Sequence, residues 1–444
     1  MPAQRHPASK QASPESPPAG PAPGGVTLPG PTAGLMIMAL APFAFGYLFS
    51  YLYRGANAVV AGDLVAELGL SPAELGLMTA AYLAAFSAFQ LPLGVLLDRY
   101  GPRRVQAALV ALGACGALLF SVGRDALTLT IARGIIGIAF SGGLMSCFKA
   151  VVIWVSEPRR ALANACLMSM GGMGLLISTT PLELAARSYG WRATFVVLAC
   201  ATLLASAVIF FVVPERKGSA AGGEPFAKQI RQVGSIYRDR VFLALAPFLA
   251  VTAGTHIALQ TLWAGPWFRD VLELDRLGVA NSLFVMAAGF VASILLAGVI
   301  TDALVRRGYS LLTAMLLFQI TFMVVQVGLL FNPTDPWIAL GLWSLFSMTG
   351  HAAVVAYPWL SRYFGAALSG RSNSAANLLM FLWAFLVQYA AGAIIGWFPA
   401  PAPGRYAPVA YQAAMAIFLG FQVVSLLWLI VNRRRLAAAE TRTA

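Results

Sequence analysis

Twelve long apolar segments limit what this chain can fold into more than any other feature of its sequence. Most are about 18 to 25 residues long, the length at which an α-helix crosses a hydrocarbon core of about 30 Å. Because lipid offers the backbone no hydrogen-bond partners, such segments must satisfy their own amide groups as helices. We therefore predict an all-α membrane protein with transmembrane helices over 35–60, 73–97, 104–122, 127–155, 161–186, 192–213, 241–266, 277–301, 309–331, 336–360, 373–397 and 409–432.

A short charged motif occurs twice, each time between two predicted spans. Its residues are Gly94, Asp98, Arg99, Gly101, Arg103 and Arg104 in the first copy, and Gly298, Asp302, Arg306 and Arg307 in the second. An acid just past a helix end, with a glycine turn and paired arginines, can form a charged latch at the membrane surface. Because Asp98 and Asp302 are 204 residues apart, the motif indicates two related halves.

The first copy resembles the major facilitator superfamily, whose loop between helices two and three carries the pattern G-x-L-x-D-R-x-G-x-R-R. The resemblance covers roughly residues 34–432, and the second copy lacks the arginine after the aspartate and the central glycine. It implies two pseudo-symmetric six-helix bundles and a latch that stabilises the outward-facing state. Arg133 with Gly137 also matches the family's R-x-x-x-G element on helix four, which implies a structural role within the same conformational machinery.

Composition and the repeat divide the chain into five predicted parts. Residues 1–33 hold nine prolines and are expected to be a disordered cytoplasmic tail without a removable signal peptide. The other parts are the first bundle (34–213), a cytoplasmic central loop (214–240), the second bundle (241–432) and a basic cytoplasmic tail (433–444).

Basic residues predict the orientation in the membrane, because positively charged loops stay in the cytoplasm. With both termini inside, the cytoplasmic segments hold 21 of the 30 lysines and arginines. The net charge of +13 is therefore a topological signal, which argues against nucleic-acid binding. We expect a monomer in the cell inner membrane. Its four cysteines lie in apolar spans at no ligand spacing, so neither a disulfide framework, a metal site nor a cofactor is expected.

Ionisable side chains deep in the predicted spans are few. They are Arg54 in helix one, Arg133 and Lys149 in helix four, His256 in helix seven and His351 in helix ten. A charge in hydrocarbon costs a few kcal/mol or more, so such groups usually face an aqueous cavity or a partner. Two alternatives stay open: the long side chains of Arg54 and Lys149 can reach the headgroups, and the histidines can be neutral and hydrogen-bonded inside the bundle.

These residues fall on helices one, four, seven and ten, which by the resemblance line a central cavity. Helical spacing places two phenols on the face of the first arginine and a glutamine on the face of the first histidine. The predicted substrate-binding residues are Tyr47, Tyr51, Arg54, Lys149, His256, Gln260 and His351, with His256 and His351 as proton-coupling candidates. Asp63, Glu67 and Glu74 are assigned to the first outer loop and Glu183 to the outer end of helix five, which leaves the cavity without a carboxylate.

A positive cavity of this kind favours a small organic anion, a carboxylate or a phosphate ester. The first half also resembles sugar-phosphate and organic-anion permeases, in which an arginine follows aromatic residues on helix one. We predict a secondary transporter that works by proton symport or anion exchange. The alternative is a proton-coupled drug or metabolite efflux pump, disfavoured by the missing membrane carboxylate. A sensor or membrane enzyme is a third interpretation, and no nucleophile, metal cluster or nucleotide motif supports an enzyme.

Overall fold

The computed structural model describes residues 33–214, 226–402 and 404–443, and throughout these ranges the ordered elements are helices. The all-α prediction is confirmed. Within this part of the chain, ten helices are long and apolar enough to cross a membrane, or eleven if the bent pair Leu162–Ile177 and Thr180–Tyr189 is one span. The predicted disordered tail and the first half of the predicted central loop fall outside the described residues, except Ala33 and Pro214.

Sixteen α-helices can be followed along the described residues. They are α1 (Ala33–Leu68), α2 (Pro72–Val122), α3 (Ala126–Phe140), α4 (Gly143–Trp154), α5 (Arg160–Ile177), α6 (Thr180–Tyr189), α7 (Trp191–Val212), α8 (Phe226–Ile236), α9 (Arg240–Ala258), α10 (Ala264–Val271), α11 (Arg276–Arg306), α12 (Leu311–Leu330), α13 (Pro336–His351), α14 (Ala356–Ile395), α15 (Pro408–Val431) and α16 (Arg433–Thr443). A π-helical turn, Leu259–Trp263, joins α9 to α10.

Two of these helices are interrupted by a glycine with positive φ. Gly101 in α2 has φ 76° and ψ 162°, and Gly365 in α14 has φ 70° and ψ 172°. Glycine adopts this backbone conformation without the Cβ clash that other residues suffer. At 1.5 Å per residue the 51 residues of α2 would extend about 77 Å, more than twice a hydrocarbon core of about 30 Å. If α2 is counted as two spans divided at Gly101 and the bent pair as one, the total is twelve, and the count of twelve stays a prediction.

Helices extend beyond the apolar segments at three places. The first runs to Leu68 instead of 60, so Asp63 and Glu67 lie on a helix and were wrongly assigned to a loop. The central connector contains α8, and the C-terminal tail forms α16. In each case polar residues continue the helix outside the hydrophobic stretch, where apolar length carries no information about the helix end.

Glycines allow helices to approach closely within and between the two halves. A Cβ on Gly137 of α3 would collide with the carbonyl oxygen of Tyr82 in α2. Between the halves, a Cβ on Gly265 would meet the carbonyl of Ala58, and one on Gly392 would meet that of Pro72. The halves therefore touch backbone to backbone at the end of the molecule that contains Asp63, which we name the Asp63 end. The opposite end, at the first copy of the motif, is the Asp98 end.

We expect Gly137→Ala to lower the free energy of unfolding by roughly 1–3 kcal/mol, because overpacking forces α2 and α3 apart. Gly420→Ala in α15 is the matched control, since a Cβ there meets no atom within 4 Å. Alanine favours the helix, so the control is expected to be neutral or slightly stabilising. Thermal unfolding of the two purified variants in detergent measures the difference. A melting temperature for Gly137→Ala equal to that of the control would contradict the close approach.

Candidate substrate site

Arg54 of α1 is held inside the protein by four aromatic rings. Its side chain is 8% exposed, and its guanidinium carbon lies 4.6 Å from the ring centre of Tyr51, 5.2 Å from those of Phe86 and Phe381, and 5.9 Å from that of Tyr82. The rings come from α1, α2 and α14, and so from both halves of the chain. Because the face of an aromatic ring is electronegative, these contacts stabilise the positive charge without neutralising it.

In the part of the chain that the structure describes, the Arg54 charge is not paired with an acid. Within the described residues no carboxylate lies within 4 Å of its guanidinium, and its Nε atom has no hydrogen-bond partner. A buried guanidinium normally requires a partner for its charge and its N–H donors. An anionic ligand with two oxygens would supply both, since a guanidinium matches a carboxylate fork to fork.

A chain of ring contacts connects Arg54 with the second half of the molecule. The ring of Tyr51 lies 5.4 Å from that of Tyr47 and 5.8 Å from that of Phe290 in α11. Phe290 in turn lies 4.4 Å from the ring of His351 and 6.1 Å from that of His256. The structure therefore brings five of the predicted substrate residues, Tyr47, Tyr51, Arg54, His256 and His351, into one aromatic cluster.

The two histidines face each other across the cluster, with ring centres 6.4 Å apart. His256 is 1% exposed, its ring nitrogens lack a hydrogen bond of good geometry in the described part of the chain, and the Gln260 side chain is close enough to interact with the ring. Gly350 packs directly on the His256 side chain, where a Cβ would come within 2.6 Å. Gln260 lies four residues further along, buried in the π-helical turn. Unpaired imidazole nitrogens in this position can donate to or accept from a bound ligand.

Lys149 lies elsewhere, at the Asp98 end. Its Nζ atom donates to Asp98 Oδ1 at 2.6 Å and to the carbonyl oxygen of Leu97 at 2.6 Å. The predicted substrate cation is thus the partner of the latch aspartate, because the long lysine side chain reaches the acid at the helix end. Both residues line a cavity of about 400 Å³ together with Gln90, Leu91, Leu93, Gly94, Leu97, Met145, Ile230, Val233, Gly370, Arg371 and Ser374.

The remaining residues of the first motif copy fix the turn around Gly101. The Nε atom of Arg103 donates to the carbonyl of Phe210 at 2.8 Å, and the Arg99 guanidinium lies 5.3 Å from the ring centre of Tyr100. Arg104 lies in the first turn of the second part of α2, three residues after the glycine.

The second motif copy, from Gly298 to Arg307 at the end of α11, is more exposed. Asp302 and Arg306 pair within the helix at 2.5 Å, with side chains 60% and 68% exposed, whereas the backbone N–H of Arg307 caps the helix end. An exposed pair of this kind contributes little stability.

Arg133, which the resemblance groups with the latch, lies beside the aromatic cluster. It is 1% exposed, donates from Nη1 to the carbonyl of Tyr53 at 2.8 Å, and lies 5.1 Å from the ring centre of Tyr82. It therefore connects α3 to α1 and α2 next to Arg54, with the Tyr82 ring in contact with both guanidinium groups.

We expect Asp98→Asn and Lys149→Gln to shift the balance between conformations in the same direction. The pair is partly exposed, at 46% and 23%, so its loss is worth at most about 1 kcal/mol, or roughly fivefold in population. The labelling rate of a cysteine placed at Met145 in the adjoining cavity reports the shift. The double variant should change this labelling rate no more than either single variant, because each single variant already removes the same interaction between Asp98 and Lys149. Asp302→Asn is the control, and equal effects of all variants would refute the pairing.

Three of the four rings around Arg54, those of Tyr82, Phe86 and Phe381, were not predicted from the sequence. Phe86, Phe290 and Phe381 lie within apolar spans and look like ordinary core residues, and so does Tyr357, whose hydroxyl donates to the Asn377 Oδ1 atom at 3.1 Å. One usable signal was present: Tyr82 and Phe86 are four residues apart, which places them on one face of the second helix.

Comparison with known proteins agrees with this architecture. The family model of the Major Facilitator Superfamily matches residues 43–388. The chain is 23% identical over 289 residues to the probable sulfoacetate transporter SauU of Cupriavidus necator, covering 61% of this chain and 66% of that protein, slightly less than two thirds. It is 24% identical over 325 residues to the probable galactarate/D-glucarate transporter GudP of Bacillus subtilis, covering 67% of this chain and 71% of that protein.

Among solved structures, a bacterial homolog of the human lysosomal transporter Spinster, in an inward-facing and unoccupied conformation, superimposes with a TM-score of 0.70. The identity is 15%, and the match covers 93% of this chain and 98% of that one. At this identity the likeness shows the fold alone. Because the family model spans well over half of the sequence, this chain belongs to the Major Facilitator Superfamily of membrane transporters.

Proposed function

We propose that this protein is a secondary transporter that moves a small organic anion across the cytoplasmic membrane by alternating access, with Arg54 as the residue that binds the anionic group. The observation that carries the proposal is a buried guanidinium, enclosed by aromatic rings from both halves and paired with no carboxylate among the described residues. A site at the interface of the two halves is exposed to either side in turn as they rock.

The relatives support a carboxylate or a comparable oxyanion as cargo. Those compared above are named as transporters of sulfoacetate and of galactarate or D-glucarate. With Lys149 engaged by Asp98, a single arginine remains for the anion, which favours a carboxylate over a doubly charged phosphate ester. His256 and His351, beyond Phe290, are placed to contact polar groups on the rest of the ligand.

The distribution of basic residues supports an orientation with the Asp98 end and both termini in the cytoplasm, and we propose two bundles joined by the central loop. In this orientation the halves touch backbone to backbone at the outer end, through Gly265 and Gly392, beside a vestibule of about 980 Å³, and a second cavity of about 400 Å³ lies at the cytoplasmic end. We interpret the conformation as inward-facing and the functional unit as a monomer.

A thermal-shift screen of the purified protein tests the proposal. Because a ligand that binds the folded state stabilises it by RT ln(1 + [L]/Kd), about 2.7 kcal/mol at one hundred times Kd, cargo raises the melting temperature with concentration. We expect stabilisation by a small carboxylate or sulfonate, and a weaker effect from phosphate esters. Stabilisation by cationic drugs and by no acid would refute anion transport and favour the efflux alternative.

A further inference from the structure

The outer end of the molecule is held closed by one arginine that binds two carboxylates of the other half. Arg276, the first residue of α11, donates to Asp63 of α1 at 2.6 and 2.8 Å and to Glu183 of α6 at 2.8 and 3.2 Å. Both acids belong to the first half and the arginine to the second. The Thr180 hydroxyl adds a bond to Asn281 Oδ1 at 2.9 Å across the same boundary.

Glu183 is the most deeply buried of the three charged residues in this group. Its side chain is 3% exposed, against 23% for Asp63 and 51% for Arg276. The neighbouring residues Leu182 and Ala186 are also buried, so α6 holds this carboxylate inside the first half. Burial penalises an ionised carboxylate unless a cation is present, and a second carboxylate at the same site adds to that penalty.

The other charged groups around Glu183 are already engaged or exposed. On α1, Glu67 binds Arg192 of α7 at 2.7 Å, and on α10, Arg269 binds Asp270 at 2.7 Å. Asp275 caps α11 by accepting from the N–H of Gly278, whereas Arg187 on α6 and Arg405 near α15 are exposed. The α5 segment adjoining α6 ends in Leu175, Leu176 and Ile177 and brings no charge. Arg276 is therefore the cation that Glu183 binds within the described residues.

The Glu183 group borders a cavity at the Asp63 end of the molecule. Asp63, Glu183 and Arg276 line a vestibule of about 980 Å³ at the Asp63 end, together with Arg269, Asp275 and Arg405 among its polar residues. A proton from the outer solution can therefore arrive at Glu183 without passing through the central site.

We propose that Glu183 is a proton-binding residue of the outer gate, and that its protonation releases Arg276 and opens the gate. Neutral Glu183 no longer attracts the guanidinium, and Asp63 alone holds it from a more exposed position. Separation of the halves carries Arg276 away with α11 and leaves Asp63 and Glu183 without this cation.

The closed state contains the ion pair between Arg276 and ionised Glu183, and a proton on Glu183 removes that pair. Closure is therefore expected at neutral external pH and is lost as the external pH falls. The proton returns to the outer solution when the gate closes, so it is distinct from a transported proton.

Accessibility of a cysteine at Ala58 tests the proposal. Ala58 is 6% exposed, lies against Gly265 of the other half and lines the inner part of the vestibule. The background carries serine at the native cysteines Cys115, Cys147, Cys166 and Cys200. Intact cells are treated with a membrane-impermeant maleimide between pH 8 and pH 5. Because thiol reactivity itself depends on pH, each rate is divided by that of a cysteine at the exposed Tyr189.

We expect the normalised rate to rise at least about threefold on acidification in the parent, and to be high at both pH values in Glu183→Gln and in Arg276→Gln. Asp63→Asn should raise the baseline and keep the response. A flat pH profile in the parent, or a response that survives in Glu183→Gln and disappears in Asp63→Asn, overturns the proposal. The second variant, Arg276→Gln, keeps the test valid if Glu183→Gln fails to fold. This proposal rests on the alternating access of the proposed function. Because the labelling rate is measured without substrate, the gate proposal can hold even if anion transport is refuted.

Discussion

We expect Arg54→Gln to weaken binding of the cargo anion at least about a hundredfold and to abolish its uptake, while the protein still reaches the membrane. A hydrogen bond to a charged group contributes about 1.5–3 kcal/mol, and a fork-to-fork contact makes two of them. At 1.4 kcal/mol per tenfold, loss of both bonds, about 3–6 kcal/mol, weakens binding at least about a hundredfold. Uptake of the radiolabelled acid into proteoliposomes, together with thermal shift, measures both effects.

Two matched variants separate the charge from the geometry. Arg54→Lys keeps a positive charge among the four rings but loses the planar fork, so we expect intermediate binding. Arg187→Gln removes an exposed arginine of α6 and should leave binding unchanged. The melting temperature without ligand is the folding control for Arg54→Gln. Because the substitution removes a buried charge, this temperature should equal or exceed that of the parent. Wild-type affinity in Arg54→Gln would eliminate the proposed anion site.

The fold was largely predictable because its strongest determinant is the cost of exposing backbone to lipid. Apolar length alone places helices near the observed spans, and the repeat of Asp98 at Asp302 identifies two halves. Arg54 could be selected because charge in a membrane is expensive. Its burial is confirmed, whereas its role in binding stays a prediction.

The partners of these residues could not be predicted, since they depend on which helices meet. Lys149 was expected in the central cavity from its helix, but its long side chain reaches the helix end and pairs with Asp98. Glu183 was expected near the outer surface, and only the packing of α6 against α11 shows that it is buried and paired across the halves. Phe290 connects the histidines to Tyr51 without any polar signature in the sequence.

The second large effect concerns His256 and His351 and the source of energy for transport. In proteoliposomes with an imposed gradient of one pH unit, proton symport supports up to about tenfold accumulation per proton, because one pH unit corresponds to 1.36 kcal/mol. We expect a variant with glutamine at both histidines to lose this accumulation. Counterflow of labelled against unlabelled substrate should persist, because exchange requires no titrating group.

The physical reason is that these imidazoles are the titratable groups beside the central cluster whose ordinary pKa, about 6.5, lies near working pH. In the present conformation His256 is buried at 1% exposure. A ligand or water that reaches the rings in the opposite conformation would let them exchange a proton there, so the proton would be taken up on one side and released on the other. If counterflow by the parent protein does not depend on the pH gradient, the protein is an anion exchanger and the histidine hypothesis is wrong.

Glu183→Gln separates the two proton sites, since it should remove the pH response of the outer gate and leave gradient-driven accumulation dependent on the histidines.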